Sequence, residues 1–172
     1  MDNPAKDALK IALDLEKKGH AYYMDTARQA QNPLTQSVFF SLAAQELIHI
    51  QRIKELYEGE PESAGVPSIA HGELEQAVKE IFDKFTSEQR QAWTMDNGAA
   101  YEYAMKLECD AAAMYDRLAH ESINPGESQF FESLRSEENE HLATLENVAG
   151  YLGWTGEWFA EEEIRVWNWM NM

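Results

Sequence analysis

Hydrophobic side chains recur every three or four residues over four long stretches of the chain, which is the pattern of helices that bury one face. This pattern predicts four long helices, over residues 4–31, 33–58, 97–123 and 126–152. Within each pair of helices the chain is broken by an Asn-Pro sequence, at Asn32-Pro33 and at Asn124-Pro125. The residue before a proline avoids the α conformation, and proline suits the first turn of a new helix. Each pair is therefore expected to form an antiparallel hairpin.

Two further segments have a different pattern. Residues 59–96 contain Pro and Gly residues and two short helical patterns, at about 73–85 and 87–94, and are predicted to form a long crossover between the hairpins. Residues 153–172 contain four tryptophans and are expected to form a short helix that packs against the bundle or a neighbouring subunit. No stretch alternates as a half-buried strand does. The sequence thus predicts one all-α domain over residues 1–172, built as a four-helix bundle.

Charge and cysteine content limit the compartments and the binding partners that we expect for this protein. The formal net charge of −17 disfavours binding to nucleic acid, whose phosphates repel an acidic surface. The one cysteine, Cys109, excludes a disulfide within this chain and suits a reducing compartment. The N-terminal residues carry charge where a signal peptide is apolar, and no apolar run reaches the roughly 18 residues of a membrane span. We therefore expect a cytoplasmic protein that binds neither nucleic acid nor membrane.

A Glu-x-x-His pair occurs twice, as Glu46 and His49 in the second predicted helix and as Glu138 and His141 in the fourth. Residues three apart share one face of a helix, so each pair can present a carboxylate and an imidazole to the same metal ion. One such pair could arise by chance in a chain this rich in glutamate. Its recurrence at an offset of 92 residues indicates an internal repeat.

The two hairpins are related by a duplication. A shift of 92 residues aligns residues 12–49 with residues 104–141 without a gap, and 13 of the 38 aligned positions are identical. The identical positions include both residues of the Glu-x-x-His pair, the Asn-Pro break, and the glutamates Glu16 and Glu108. A glutamate from each of the other two helices thus joins the repeated pattern.

The position of the turn predicts where these side chains meet. Glu16 and Glu46 each lie 15 residues from Gln31, and the second pair of glutamates flanks the second turn in the same way. At about 1.5 Å per residue, each glutamate lies roughly 22 Å from its turn, with the imidazoles about one helical turn further. Packing the hairpins around a pseudo-twofold axis would therefore bring four carboxylates and two imidazoles together in the interior.

Four carboxylates in one core layer need compensation, because burying a charge is very costly unless it is paired or bound to metal. No cationic side chain stands at a matching position of the repeat. Metal ions are the simplest compensation, and a site rich in carboxylates with imidazole suits iron or manganese. One Glu from each of two helices with Glu-x-x-His from the other two is the arrangement of ferritin-like di-metal bundles.

In these residues the chain resembles rubrerythrin-like members of the ferritin-like superfamily. The resemblance rests on Leu-Glu-Lys-Lys-Gly-His-Ala-Tyr-Tyr around Glu16, on Leu-Glu-Cys-Asp-Ala-Ala-Ala-Met-Tyr around Glu108, and on the two Glu-x-x-His pairs, and it covers the four bundle helices. It implies two iron ions, with manganese or a mixed pair as the alternatives. The implied ligands are Glu46 and Glu138 as bridges and, outside them, Glu16, His49, Glu108 and His141. Two helical turns beyond Glu16 and Glu108, the residues Tyr23 and Tyr115 are expected either to contact these ligands or to be ordinary core tyrosines.

The resemblance implies a di-iron oxidoreductase that reduces hydrogen peroxide, or dioxygen, to water. Two features depart from the family pattern: Ala111 stands where rubrerythrins carry a further Glu ligand, and one cysteine cannot build the rubredoxin-like domain that such proteins commonly have. The implied electron donor is therefore an external protein, such as a rubredoxin-like one. A non-catalytic iron-sequestering protein and a di-iron oxygenase remain as alternatives, and a homodimer is an open expectation.

Other polar residues near the pattern are expected to lie outside the site. His20 follows Glu16 by four residues, but its repeat partner is Ala112, which favours a structural role. Glu137 and Glu140 flank the second Glu-x-x-His pair and are expected to be exposed. Cys109 is expected to pack between helices.

Overall fold

Four long helices and two short ones form the computed structural model, which describes residues 4–58, 73–91, 93 and 98–153. In chain order they are α1 (Pro4–Gln29), α2 (Pro33–Glu58), α3 (Glu73–Asp83), α4 (Ser87–Gln91), α5 (Gly98–Glu121) and α6 (Pro125–Tyr151). The described residues contain no strand and no helix that is long and apolar enough to cross a membrane. The predicted all-α class is confirmed. The terminal helix predicted within residues 153–172 falls almost wholly outside the described residues.

The long helices form two hairpins that lie side by side. α1 packs along α2 and α5 along α6, while α1 also contacts α5 and α2 contacts α6. Near the first turn, Phe39 packs against Tyr101 at the start of α5, with ring centroids 5.1 Å apart. Near the second turn, Leu118 lies in one cluster with Leu9 at the start of α1. The two turns are therefore at opposite ends of the bundle, and the pseudo-twofold axis crosses the helices.

This opposed arrangement explains the long crossover. α2 ends at the end of the bundle where α1 begins, whereas α5 begins at the other end, so the chain must travel the length of α2, which is about 39 Å for its 26 residues. α3 contacts α2 and α6 and buries Leu74, Val78 and Phe82 against the core. The ferritin-like bundle predicted from the sequence is confirmed.

A layer of polar side chains divides the hydrophobic core into two clusters. The cluster at the first turn consists of buried residues from five helices, among them Leu34, Leu42, Val78, Met105 and Leu145. The cluster at the second turn includes Leu9, Ile53, Leu118, Phe131 and Leu134. The six residues of the predicted site belong to neither cluster and lie at heights between them. Apolar packing therefore closes the polar layer from both ends.

Asparagine caps the second helix of each hairpin. The Oδ1 atom of Asn32 accepts hydrogen bonds from the backbone N–H groups of Leu34 at 2.8 Å and Thr35 at 3.3 Å, and Asn124 accepts one from Gly126 at 2.8 Å. These bonds satisfy donors that the first turn of a helix leaves without a partner. The Asn-Pro break thus both ends one helix and begins the next.

The cap of α6 provides a test of this role. Asn124→Ala removes the acceptor and should lower the free energy of unfolding by about 1 kcal/mol, as measured by urea denaturation. Asn124→Asp keeps an oxygen at the same place and is the matched control, with stability expected near that of the wild type. Equal stability of the Ala variant and the wild type would show that the cap does not contribute.

Candidate metal centre

Six buried side chains meet in the polar layer. They are Glu16 from α1, Glu46 and His49 from α2, Glu108 from α5, and Glu138 and His141 from α6. None of them is more than 3% exposed. These are the residues that the duplication predicts to converge, and the structure brings all six together. Their role as metal ligands stays a prediction.

One half of the cluster surrounds the inner nitrogen of His49. The Nδ1 atom lies 3.4 Å from Glu16 Oε2, 3.6 Å from Glu46 Oε2 and 3.1 Å from Glu138 Oε1. These four residues form a group whose ligand atoms are close enough to hold one metal ion. The group takes one residue from α1, two from α2 and one from α6, so it exists only when the hairpins are packed together.

The other half repeats this arrangement around His141. Its Nδ1 atom lies 3.3 Å from Glu46 Oε1, 3.4 Å from Glu108 Oε2 and 3.2 Å from Glu138 Oε2. Glu46 and Glu138 therefore belong to both groups, and each turns a different oxygen toward each imidazole. The imidazole rings of His49 and His141 stack with centroids 5.5 Å apart. Two overlapping groups with two shared carboxylates are the geometry of a two-ion site.

The inward-facing atoms fit bound cations. Glu46 Oε1, both carboxylate oxygens of Glu138 and the Nδ1 atoms of both histidines lie close to one another, but among the described residues none of these buried atoms makes a contact with the geometry of a hydrogen bond. Buried polar atoms almost always have partners, so five such atoms in one layer require an explanation. All five are of the carboxylate and imidazole types that bind iron, manganese or zinc. Four carboxylates with neutral imidazoles would also balance the charge of two divalent ions.

Burial and mutual charge shift the pKa values of the clustered side chains. Burial, followed by the charges of Glu46 and Glu138, raises the pKa of Glu16 well above its usual value. Burial lowers the pKa of His49, but the charge of Glu138 and the hydrogen bond to Glu137 outweigh it and leave that pKa well above its usual value. Glu16 and His49 therefore bind protons more tightly than usual, and a metal ion that binds to these side chains would compete with those protons.

Two tyrosines link the hairpins at the outer carboxylates. Tyr23 donates its hydroxyl hydrogen bond to Glu108 Oε1, and Tyr115 donates to Glu16 Oε1. Each tyrosine therefore contacts the glutamate of the other hairpin, as the opposed hairpin directions require. Burial, followed by the charge of the contacted glutamate, raises the pKa of both tyrosines well above the usual value, so both hydroxyls stay protonated donors. Tyr23 and Tyr115 were expected either to contact the predicted ligands or to be ordinary core tyrosines, and the structure shows that they contact them.

The outer nitrogens of the histidines have partners that the sequence analysis missed. His49 Nε2 lies 3.0 Å from Glu137 Oε2, and His141 Nε2 lies 2.6 Å from Gln45 Oε1. The expectation that Glu137 is exposed is wrong: it is 8% exposed, because it lies between α6 and α2 and is held there by Arg52. The repeat could have indicated these partners, since Gln45 and Glu137 occupy aligned positions, and each directly precedes one of the two glutamates that belong to both groups.

The other candidate side chains lie off the cluster. His20 is bound through Nδ1 to the backbone carbonyl of Ala43 at 2.7 Å. Glu140 is half-buried, so the expectation that it is exposed is also wrong. Cys109 is exposed, so the expectation that it packs between helices is wrong. The reason is geometric: consecutive helical residues are about 100° apart, and the preceding Glu108 faces the bundle axis.

A small cavity adjoins the carboxylates. Its volume is about 10 Å³, and its lining includes all four glutamates together with Gly19 and Ala111, which are aligned positions of the repeat. About 10 to 15 Å³ is the least that admits one water molecule. A far larger cleft, of about 730 Å³, lies at the second turn beside Leu9 and Ile123 and has none of the six cluster residues in its lining. The room beside the cluster is therefore about that of one water molecule, far too small for an organic ligand.

Comparison with known proteins identifies a family for most of the chain. The family model of rubrerythrin matches residues 7–149, a range that contains all six cluster residues. No curated protein and no solved structure matches the chain.

Metal content tests the two overlapping groups. We expect the wild type to bind two Co²⁺ ions, His141→Ala to keep one, and Glu46→Ala to lose both because its carboxylate is shared. Equilibrium dialysis followed by elemental analysis measures the stoichiometry. Glu132→Ala changes an exposed glutamate of α6 and is the matched control that should keep both ions. Two ions per chain in both site variants would contradict the ligand assignment.

Stability provides an independent test. A ligand that binds only the folded state stabilises it by about 2.7 kcal/mol when the free ligand is 100 times its dissociation constant. Urea denaturation of the wild type with excess Co²⁺ should show a gain of at least this size over the metal-free protein. Glu46→Ala should show little gain, and a similar gain in that variant would place the stabilising ion elsewhere.

Proposed function

The chain belongs to the rubrerythrin family, and on that premise we propose that it is a di-iron oxidoreductase that reduces hydrogen peroxide, or dioxygen, to water. The observation that carries the proposal is the pair of overlapping groups with two shared carboxylates. Glu16, Glu46, His49 and Glu138 would hold one iron ion, and Glu46, Glu108, Glu138 and His141 the other. Manganese or a mixed pair is the alternative metal content that this ligand set also suits.

Two ferrous ions held there would supply the two electrons that convert one hydrogen peroxide and two protons into two water molecules. The residues of this chain hold the ligands in place and separate the site from bulk water. The hydroxyls of Tyr23 and Tyr115 hold the Oε1 atoms of Glu108 and Glu16, so that the Oε2 atoms of both glutamates face the imidazoles. The two apolar clusters exclude bulk water from the layer between them. A site of this kind limits its reactants to those that can enter the small cavity.

The size of the cavity supports a small oxidant. A space of about 10 Å³ beside the four glutamates suits hydrogen peroxide or dioxygen better than an organic molecule. Oxygenation of an organic substrate would need an apolar pocket open to the same carboxylates. The cavity thus favours reduction of peroxide or dioxygen over the oxygenase alternative.

The proposed electron donor is an external protein such as a rubredoxin-like one. A rubredoxin-type iron site needs four thiolates, and this chain has one cysteine. The net charge of −17 opposes docking of an equally acidic donor, so the contact requires a locally basic face on one of the two proteins. Docking should therefore depend on ionic strength.

Turnover separates the proposed reaction from iron sequestration. Iron-loaded, reduced protein mixed with hydrogen peroxide should be reoxidised rapidly and, with a donor supplied, should consume many equivalents of peroxide per chain. Stopped-flow absorbance and a peroxide assay measure the two quantities. A slow, single oxidation with no repeated consumption would contradict the peroxidase proposal and favour sequestration.

Narrowing the cavity tests the access of the oxidant. In Gly19→Ala the added Cβ atom would lie 3.6 Å from Glu46 Cδ, an ordinary contact that takes space from the cavity. We expect full metal content and a gain of about 1 kcal/mol in stability, because alanine is the better helix former. The rate of reoxidation by peroxide should fall several-fold. Oxidation by ferricyanide, which accepts an electron without entering the cavity, should be unchanged; an equal fall with both oxidants would contradict the access role.

A further inference from the structure

The surroundings of the two histidines break the symmetry of the repeat. The Nε2 atom of His49 faces a carboxylate oxygen of Glu137 at 3.0 Å, whereas the Nε2 atom of His141 faces an amide oxygen of Gln45 at 2.6 Å. A ring N–H that donates to a carboxylate forms a charge-assisted bond, about twice as strong as one to a neutral acceptor. It also makes the other ring nitrogen a stronger metal ligand. The two inner Nδ1 atoms are therefore unequal donors.

Glu137 is held in place on one side of the bundle. Arg52 donates to both of its carboxylate oxygens, at 2.8 and 2.9 Å, and also to Ser133 Oγ at 2.6 Å. Ser133 in turn donates to Glu137 Oε1 at 3.3 Å, and the Arg52 guanidinium lies 5.5 Å from the centre of the Phe130 ring. A side chain bound at this many points keeps its carboxylate ionised and oriented toward His49.

The repeat lacks this support on the other side. The position aligned with Arg52 is Thr144, whose hydroxyl donates to the carbonyl of Glu140 in its own helix at 2.9 Å. No cation therefore replaces Arg52 beside Gln45 at that position. Arg52 also offsets part of the charge of Glu137, which limits the difference between the two sides to the lower end of the 10- to 100-fold range that outer partners of metal ligands typically contribute.

We propose that the two metal positions are unequal, and that the group containing His49 binds a divalent cation about tenfold more tightly than the group containing His141 because Glu137, fixed by Arg52, orients and strengthens His49. The inference rests on the proposed two-metal centre. Glu137 is a positioning residue here, since it acts on the metal through His49. During loading, the first ion would occupy the His49 position.

The location of a first metal ion tests the proposal directly. Crystals of metal-free protein are soaked with one equivalent of Co²⁺ per chain, and anomalous scattering gives the occupancy of each position. In the wild type the His49 position should hold most of the cobalt. Location is the decisive readout, because shared carboxylates make two binding steps unequal even in a symmetric site.

Two variants test whether Glu137 is the cause of the preference for the His49 position. Glu137→Gln should weaken binding at the His49 position about tenfold and leave the first ion divided between the two positions. The double variant Glu137→Gln/Gln45→Glu exchanges the outer partners and should move the first ion toward the His141 position. Far-ultraviolet circular dichroism and urea denaturation check that both variants fold, and Gln45→Glu alone, which should narrow the preference, extends the test if the double variant does not fold.

Each outcome bears on one of the two proposals. Equal occupancy in the wild type, or an unchanged preference for the His49 position in Glu137→Gln, would overturn the inequality while leaving the two-metal centre intact. Absence of cobalt from both positions at saturating metal would instead overturn the two-metal centre, and the inequality with it.

Discussion

Four carboxylates share one buried layer of this bundle, and the need to compensate their charge explains most of what surrounds them. An unpaired buried charge costs several kcal/mol even after the protein relaxes, so such a layer must hold protons, cations or donors. Here two tyrosine hydroxyls bind the outer carboxylates, two imidazoles face the shared ones, and the atoms left without partners point inward. The apolar clusters on either side limit the access of water to the layer, so solvent can compensate little of this charge.

Duplication of one hairpin provides all the side chains of this layer. One hairpin carries two carboxylates at one height and an imidazole about one helical turn further, and packing it against its repeat in the opposite direction doubles the set across a pseudo-twofold axis. The shared glutamates Glu46 and Glu138 then lie nearest the axis, where each offers one oxygen to each side. The same axis aligns Gly19 with Ala111, and these small residues leave the space beside the carboxylates. Symmetry thus produces both the site and its access.

Departures from the repeat distinguish the two halves of the site. Gln45 and Glu137 are aligned yet differ in charge, and Arg52 has Thr144 as its counterpart. In the sequence these differences resemble ordinary surface variation, and Glu137 was accordingly expected to be exposed. A residue beside a ligand can point toward solvent or toward a neighbouring helix, and helical periodicity alone does not separate the two. The prediction that Cys109 packs between helices failed for a related reason. The direction of its side chain depends on how far the neighbouring Glu108 is turned toward the bundle axis.

By itself the sequence determined the helices, the turns and the six converging side chains, because apolar periodicity, Asn-Pro breaks and the offset of 92 residues are properties of the chain alone. Only the tertiary structure decided which atoms face each other. The opposed direction of the hairpins brings Tyr23 to Glu108 and Tyr115 to Glu16, and the packing of α2 against α6 brings Glu137 to His49. Such contacts join residues more than 80 positions apart, and their partners depend on the relative placement of whole helices, which no local pattern encodes.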